Sequence, residues 1–270
     1  MSIVYVKGAF VQEAQAHISI AERGFRYGDG LFESIYIQAG QARHLNRHLK
    51  RLANGLQALR ISAPKEELET LVQQLIVHNK TIEGVLRLSV SRGIGSAGYL
   101  PTTQDPPTVV AEITPLPEFS EDPLKLWLSN WRKPSRRSLP VEAKLSQGVN
   151  STLARMEAHE HGCDEALMLN PQEAICEASS ANIFWRLGGL IYTPADSCGL
   201  LKGIAREILL EEWQVQKAAF DLETLQGANS VMICNSIRGA MPILSLDPQG
   251  WQWFDSSLAD EAQAILDATP

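Results

Sequence analysis

The chain has 270 residues, 44% hydrophobic and 20% charged, a balance that excludes a disordered or fibrous polymer and suffices for one large domain or two ordinary ones. Its formal net charge of -7 argues against a nucleic-acid-binding surface as the main role, while leaving room for local basic pockets. No apolar run approaches the roughly 18 residues that span a bilayer, and no leader pattern lies in Met1–Phe10. The four cysteines, Cys163, Cys176, Cys198 and Cys234, lack CxxC or metal-like spacing and read as buried thiols of a reducing compartment, by default the cytoplasm, with no metal expected.

Strand signals stand at Val4–Val6 and Ala16–Ile20, followed by the glycine-rich Gly24–Gly30 and an apolar, β-prone Leu31–Ile37. Leu45, Leu49, Leu52, Leu56 and Leu59 repeat at steps of three and four, which predicts a helix over 45–60. Leu68, Leu71, Val72, Leu75 and Ile76 predict a second, and Val85–Ser91 and Thr108–Thr114 read as strands. Residues 114–123 are rich in proline and acids and mark a linker. The expected division is an N-terminal α+β domain over 1–117, a linker at 118–123 and a C-terminal domain over 124–270.

Beyond the linker, short strand-like runs crowd together: Leu124–Leu128, Glu165–Leu169, Ala174–Glu177, Asn182–Trp185, Leu190–Tyr192 and Val231–Cys234. Helical patterns separate some of them at 149–161, 203–213 and 258–268. Many strands with few intervening helices predict a curved or barrel-like sheet. Gly203-Ile204-Ala205-Arg206 opens one of these helices, and a helix N-terminus offers free N–H groups to an anion. Alone, Lys144, Glu177 and Ser236 are ordinary surface or strand-end residues.

Their order is informative. Lys144, then Glu177-Ala-Ser-Ser-Ala-Asn182-Ile-Phe184, Tyr192-Thr193-Pro194, Gly203-Ile204-Ala205-Arg206 and Asn235-Ser236 resembles the fold-type IV, or class IV aminotransferase, family of pyridoxal 5'-phosphate (PLP) enzymes. Arg26-Tyr27-Gly28-Asp29-Gly30-Leu31-Phe32-Glu33 and His48-Leu49-Lys50-Arg51-Leu52 look like its N-terminal signatures, so the likeness spans almost the whole chain. The resemblance implies an α+β fold of two domains like that of D-amino-acid aminotransferase, with a smaller N-terminal α/β sandwich and a larger C-terminal pseudo-barrel. It also implies a homodimer with the cofactor at the domain boundary. By the same resemblance Lys144 is the catalytic lysine that bonds PLP and then moves protons, and Glu177 faces the ring nitrogen. The resemblance likewise implies that Arg51, the N–H groups of Ile204 and Ala205, and Ser236 bind the phosphate and that Leu201 packs on the ring.

Within the family, Ser91-Arg92-Gly93-Ile94-Gly95-Ser96-Ala97-Gly98-Tyr99-Leu100-Pro101 resembles a segment of the aminodeoxychorismate lyases, with Ala97 where arginine often stands. Aminotransferases of the family often carry a tyrosine five positions after the lysine, where this chain has Val149. The likeness of the Ser91–Tyr99 segment implies conversion of 4-amino-4-deoxychorismate to 4-aminobenzoate and pyruvate, a step toward folate. Arg26, Tyr27, Arg92, Tyr99 and Arg238 are the candidate substrate contacts, since a dicarboxylate needs cations. An aminotransferase acting on branched-chain or D-amino acids would use the same lysine and cofactor. A non-catalytic PLP-binding scaffold is the reading from another class, and the presence of every cofactor-binding residue argues against it. Neither a nucleic acid nor a membrane is an expected partner.

Overall fold

The computed structural model describes residues 2–101 and 106–269. They form two compact units, Met1–Glu118 with Ala143–Gln147, and Phe119–Glu142 with Gly148–Pro270.

The first unit contains β1 (Ile3–Val6), β2 (Ala9–Gln12), α1 (Arg23–Tyr27), β3 (Gly30–Gln38), β4 (Gln41–Ala42), α2 (Leu45–Ala58), α3 (Leu68–Asn79), β5 (Gly84–Ser91) and β6 (Thr108–Thr114). The strands form one antiparallel sheet in the order β2-β1-β6-β5-β3-β4. Alternation along β3 decides its core face. Leu31, Ile35 and Ile37 pack with Leu86, Leu88 and Val90 against the apolar stripes of α2 (Leu52, Leu56) and α3 (Leu71, Val72, Leu75, Ile76). Truncating one of these leucines to alanine costs about 2–5 kcal/mol. Glu33 falls on the same face by the same period, so a carboxylate is forced into an apolar layer and must find cations there.

Two expectations change in this unit. Ala16–Ile20 is not a strand: Ile18 and Ile20 are exposed, and its alternation finds no neighbouring strand to pair with among the described residues. The glycine-rich segment contains α1, whose N-terminus is capped by the Glu22 side chain and whose C-cap is Gly28 at φ +63, a left-handed conformation that favours glycine.

The second unit contains β7 (Leu124–Leu128), α4 (Val149–Glu160), β8 (Glu165–Leu169), β9 (Ile175–Ala178), β10 (Asn182–Leu187), β11 (Leu190–Pro194), α5 (Ile204–Glu212), β12 (Val215–Ala218), β13 (Ser230–Asn235), β14 (Gly239–Asp247), β15 (Trp251–Gln252) and α6 (Ser257–Ala268). The sheet runs β12-β11-β10-β13-β14-β7-β8-β9, with β15 on β14. Its parallel pairs are β11–β12, β7–β14 and β7–β8. The Ala178 N–H donates to the Ala181 carbonyl at 2.8 Å, which brings β9 back beside β10 and curls the sheet on itself. Leu126, Leu167, Ile175, Ile183, Trp185, Val231 and Ile233 fill the inside, and α5 and α6 cover Phe184 and Met232 outside. Every residue of β8 and β9 is therefore buried.

The continuous C-terminal domain expected over 124–270 is interrupted. Residues 143–147 return to the first unit because their backbone pairs beside β3: the Phe32 N–H donates to the Lys144 carbonyl at 3.0 Å, and the Ser146 N–H to Gly30 at 2.9 Å. Among the described residues, no helix is long and apolar enough to cross a membrane, and no group of three or more His, Cys, Asp or Glu could hold a metal ion.

Candidate functional site

In the second unit, chemistry gathers around Glu177 near the end of β9. Its carboxylate is buried, and three donors converge on it. Lys133 Nζ lies 2.8 Å from Oε1, while Asn182 Nδ2 and the Leu201 N–H donate to Oε2 at 3.0 and 3.1 Å. Asn182 also donates to the Leu201 carbonyl at 2.9 Å, tying the start of β10 to the segment before α5. The Ser179–Ser180 turn between Glu177 and Asn182 is fixed by buried Glu165, which accepts from both serine hydroxyls and pairs with Arg155 at 3.0 Å.

Lys133 reaches Glu177 because residues 129–133 continue beyond β7 alongside β8. The Ser129 and Lys133 N–H groups donate to Leu167 and Leu169, and Glu157 on α4 accepts from Ser129 Oγ at 2.6 Å. Arg132 then pairs outward with Glu173, while Lys133 turns inward to Glu177. Burial pulls the Lys133 pKa down, but the charge and hydrogen bond of Glu177 outweigh it and hold it above the ordinary lysine value.

Leu201 is followed after one residue by Gly203, the N-cap of α5. Among the described residues no side chain caps this helix, so its first N–H groups, those of Ile204 and Ala205, lack intrahelical acceptors. Only glycine fits at the cap: a Cβ on Gly203 would stand 2.1 Å from Asn182 Oδ1. Ser236 lies in the turn between β13 and β14, where Asn235 Oδ1 accepts from the N–H groups of Ile237 and Arg238 and Asn235 Nδ2 donates to the Ser180 carbonyl at 3.4 Å. The four thiols are buried, and none is in a disulfide. Burial raises the pKa of Cys176, beside Glu177, and pushes that of Cys234 up to about 12, so neither is an activated nucleophile.

In the first unit, Arg51 and His48 stand one turn apart on α2 and meet Glu33 on β3. Arg51 donates from Nε and Nη2 to the two Glu33 oxygens at 2.9 and 2.5 Å, and His48 Nδ1 lies 2.7 Å from Oε2. Burial raises the Glu33 pKa, but the hydrogen bonds from Arg51 and His48 outweigh it and hold the carboxyl below its ordinary value. His48 is fully buried and its pKa is lowered, first by burial and also by the charges of Arg51 and Lys144. Its Nε2 has no partner among the described residues. Lys144 is half-buried, with Nζ 4.7 Å from the centre of the Phe32 ring.

The candidate substrate contacts divide. Arg92 is tied to the fold, with its guanidinium bridging Asp29 at 2.7 and 3.0 Å and capping the end of α2 through the Leu59 and Arg60 carbonyls. Asp29 also pairs with buried Arg23, which grips the carbonyls of Ser96, Gly98 and Tyr99. Burial raises the Asp29 pKa, but the bonds from Arg92 and Arg23 outweigh it and hold the carboxyl low. Tyr27 Oη accepts from the Gly98 N–H at 2.7 Å, and its ring lies 5.8 Å from that of Tyr99, which is 90% exposed. Arg26 is exposed and bonds the Ile20 carbonyl, while Arg238 stacks on Phe119 and donates to the Ser120 carbonyl. Val149 is exposed at the start of α4.

Sequence reasoning missed the partners rather than the principals: Glu33, Lys133, Glu165 and Arg23 were not singled out. Glu33 closes one quoted motif and Asn182 stands inside another. Lys133 sits in Arg132-Lys133-Pro134-Ser135-Arg136-Arg137, which reads as a solvated basic surface.

Residues 30–246 match the model of the amino-transferase class IV family. The chain is 30% identical over 252 residues to a protein of Methanocaldococcus jannaschii assigned as a branched-chain-amino-acid aminotransferase, covering 90% of this chain and 88% of that one. Its fold superposes on 4-amino-4-deoxychorismate lyase from Pseudomonas aeruginosa with a TM-score of 0.83 at 29% identity, covering 97% of both chains. It superposes on a T.th. branched-chain amino acid aminotransferase with pyridoxamine 5'-phosphate with a TM-score of 0.89 at 25% identity, covering 98% of this chain and 92% of that one. The chain belongs to the class IV aminotransferase family and is a PLP-dependent enzyme of the fold-type IV architecture.

Proposed function

We propose that this enzyme is an aminodeoxychorismate lyase, releasing 4-aminobenzoate and pyruvate from 4-amino-4-deoxychorismate. The observation that carries the choice within the family is the Arg92–Tyr99 segment, which Arg23 and Tyr27 pin into one defined loop in the first unit. That loop would present Tyr27 and Tyr99 to a ring-bearing substrate, with Arg26 and Arg238 as the cations for its carboxylates. Arg92 is left out of this set because Asp29 and two carbonyls engage it. Val149 at the position where aminotransferases often carry tyrosine points the same way.

The residues present fit PLP. A buried carboxylate with three converging donors suits a pyridine nitrogen, and an uncapped helix N-terminus suits a phosphate. Bound PLP supplies an electron sink for a carbanion at the substrate carbon that bears the amine. Lys144 would hold the cofactor covalently, give way to the substrate amine, and then move the proton at that carbon. Glu177 would keep the ring nitrogen protonated. The Ile204 and Ala205 N–H groups, Ser236 and Arg51 would hold the phosphate, and Glu33 would keep the Arg51 fork aimed. Leu201 would cover one face of the ring.

The same reading places the enzyme in the cytoplasm, in folate synthesis, as a homodimer. Exposed Ile20, Phe25 and Leu100 supply apolar surface for the second copy. The test is a coupled assay for pyruvate and 4-aminobenzoate, run beside a panel of branched-chain and D-amino acids. Rapid conversion of the cofactor to its amine form by those amino acids, with no pyruvate released, would establish an aminotransferase instead.

A further inference from the structure

We infer that Lys133 is a positioning residue that clamps Glu177 as an oriented carboxylate and weakens its pull on the ring nitrogen; this rests on the reading of Glu177 given above. Three observations carry it. Lys133 is half-buried, and its ammonium lies 2.8 Å from Glu177 Oε1. The other oxygen is held by Asn182 and by the Leu201 N–H, so the carboxylate cannot rotate without breaking three bonds. The backbone bonds of Ser129 and Lys133 to β8 make the approach of Lys133 a property of the fold rather than of a flexible side chain.

The chemistry follows from charge. A buried carboxylate alone is costly, and the lysine makes the pair neutral before any ligand arrives. A cation already on Glu177 also repels the second cation that a protonated ring nitrogen brings. Lys133 therefore holds Glu177 in place and moderates how strongly it favours the protonated ring.

The test compares wild type, Lys133→Met, Lys133→Arg, Glu177→Gln and the double variant K133M/E177Q. Each is titrated with PLP, and the pH dependence of the bound chromophore's absorption is recorded. Lys133→Met should move the midpoint up by about one pH unit, the effect of deleting a nearby cation, and Lys133→Arg should restore it. In thermal unfolding of the PLP-free protein, each single variant should lose stability and the double should recover part of the loss, because a neutral pair replaces a lone buried charge. Should Lys133→Met fail to fold, a folded double variant supports the clamp and an equally unfolded one overturns it.

A normal wild-type chromophore with an unmoved Lys133→Met midpoint would overturn the Lys133 role alone. A wild type without chromophore, or borohydride fixing PLP to a lysine other than Lys144, would overturn the reading of the site and this inference with it.

Discussion

Each unit buries a carboxylate against cations, and the two do so to opposite ends. In the first, Glu33 serves the cation: it accepts both donors of the Arg51 fork and, with His48, fixes where that guanidinium points. In the second, the cation serves the carboxylate: Lys133, with two N–H donors, fixes where Glu177 points. The lesson is that a charged side chain held away from water is only as precisely aimed as the partner behind it, and that partner must carry the opposite charge.

The largest expected effect tests whether these networks serve one lysine. Lys144→Ala should abolish the covalent chromophore and lower turnover by about 10³-fold or more, since both the anchoring amine and the proton carrier are lost. Spectral titration with PLP and the coupled pyruvate assay read this directly. Next is Glu177→Gln, expected to lower turnover by about 10²-fold while leaving PLP fixable on Lys144 by borohydride. An unchanged turnover would detach Glu177 from the chemistry.

Glu33→Gln should destabilise the protein by about 3–5 kcal/mol, because it removes one partner of a buried charge network, and should weaken PLP binding through a loosened Arg51. Its pH signature has a definite sign. The Glu33 pKa is lowered on folding, so its contribution is present above the ordinary carboxylate value and lost as pH falls through the folded one. Glu33→Gln should therefore flatten part of the acid limb of a melting-temperature profile. The Lys133 pKa is raised on folding, so its contribution is present below the ordinary lysine value and lost as pH rises through the folded one. Lys133→Met should therefore flatten part of the alkaline limb, and the opposite assignment of limbs would break the comparison.

Gly203→Ala should cost about 1–3 kcal/mol, since its Cβ would drive into the Asn182 amide that holds Glu177, and calorimetry with and without PLP would register both effects. The smallest effect belongs to Arg26→Ala, an exposed side chain whose loss should change stability by less than about 0.5 kcal/mol. Its expected consequence is a raised KM for the chorismate-derived substrate, and an unchanged KM would remove Arg26 from the site.

Much of the fold was legible from periodicity. The leucine steps of α2 and the apolar face of α3 are surface-helix patterns, and they appear where expected. Where periodicity failed, the cause was physical. Ala16–Ile20 alternates but has no strand to pair with among the described residues, while Gly239–Asp247 forms nine residues of strand despite Pro242, because its neighbours on both sides supply the pairing. The return of residues 143–147 to the first unit rests on backbone bonds to Gly30 and Phe32 and on Ala143 and Leu145 packing against that unit's core, which two isolated apolar residues do not announce.

The amino-acid sequence by itself determined the family, the cofactor and the order of the candidate site residues, because those depend on residue type and spacing that motifs preserve. Tertiary structure alone decided which charged neighbours stand behind them. Glu33 meets Arg51 across 18 positions. Lys133 meets Glu177 because a segment beyond β7 lies along β8, a contact set by strand pairing between distant parts of the chain. Charge pairing acts through space at a few ångströms, whereas sequence records only separation along the backbone.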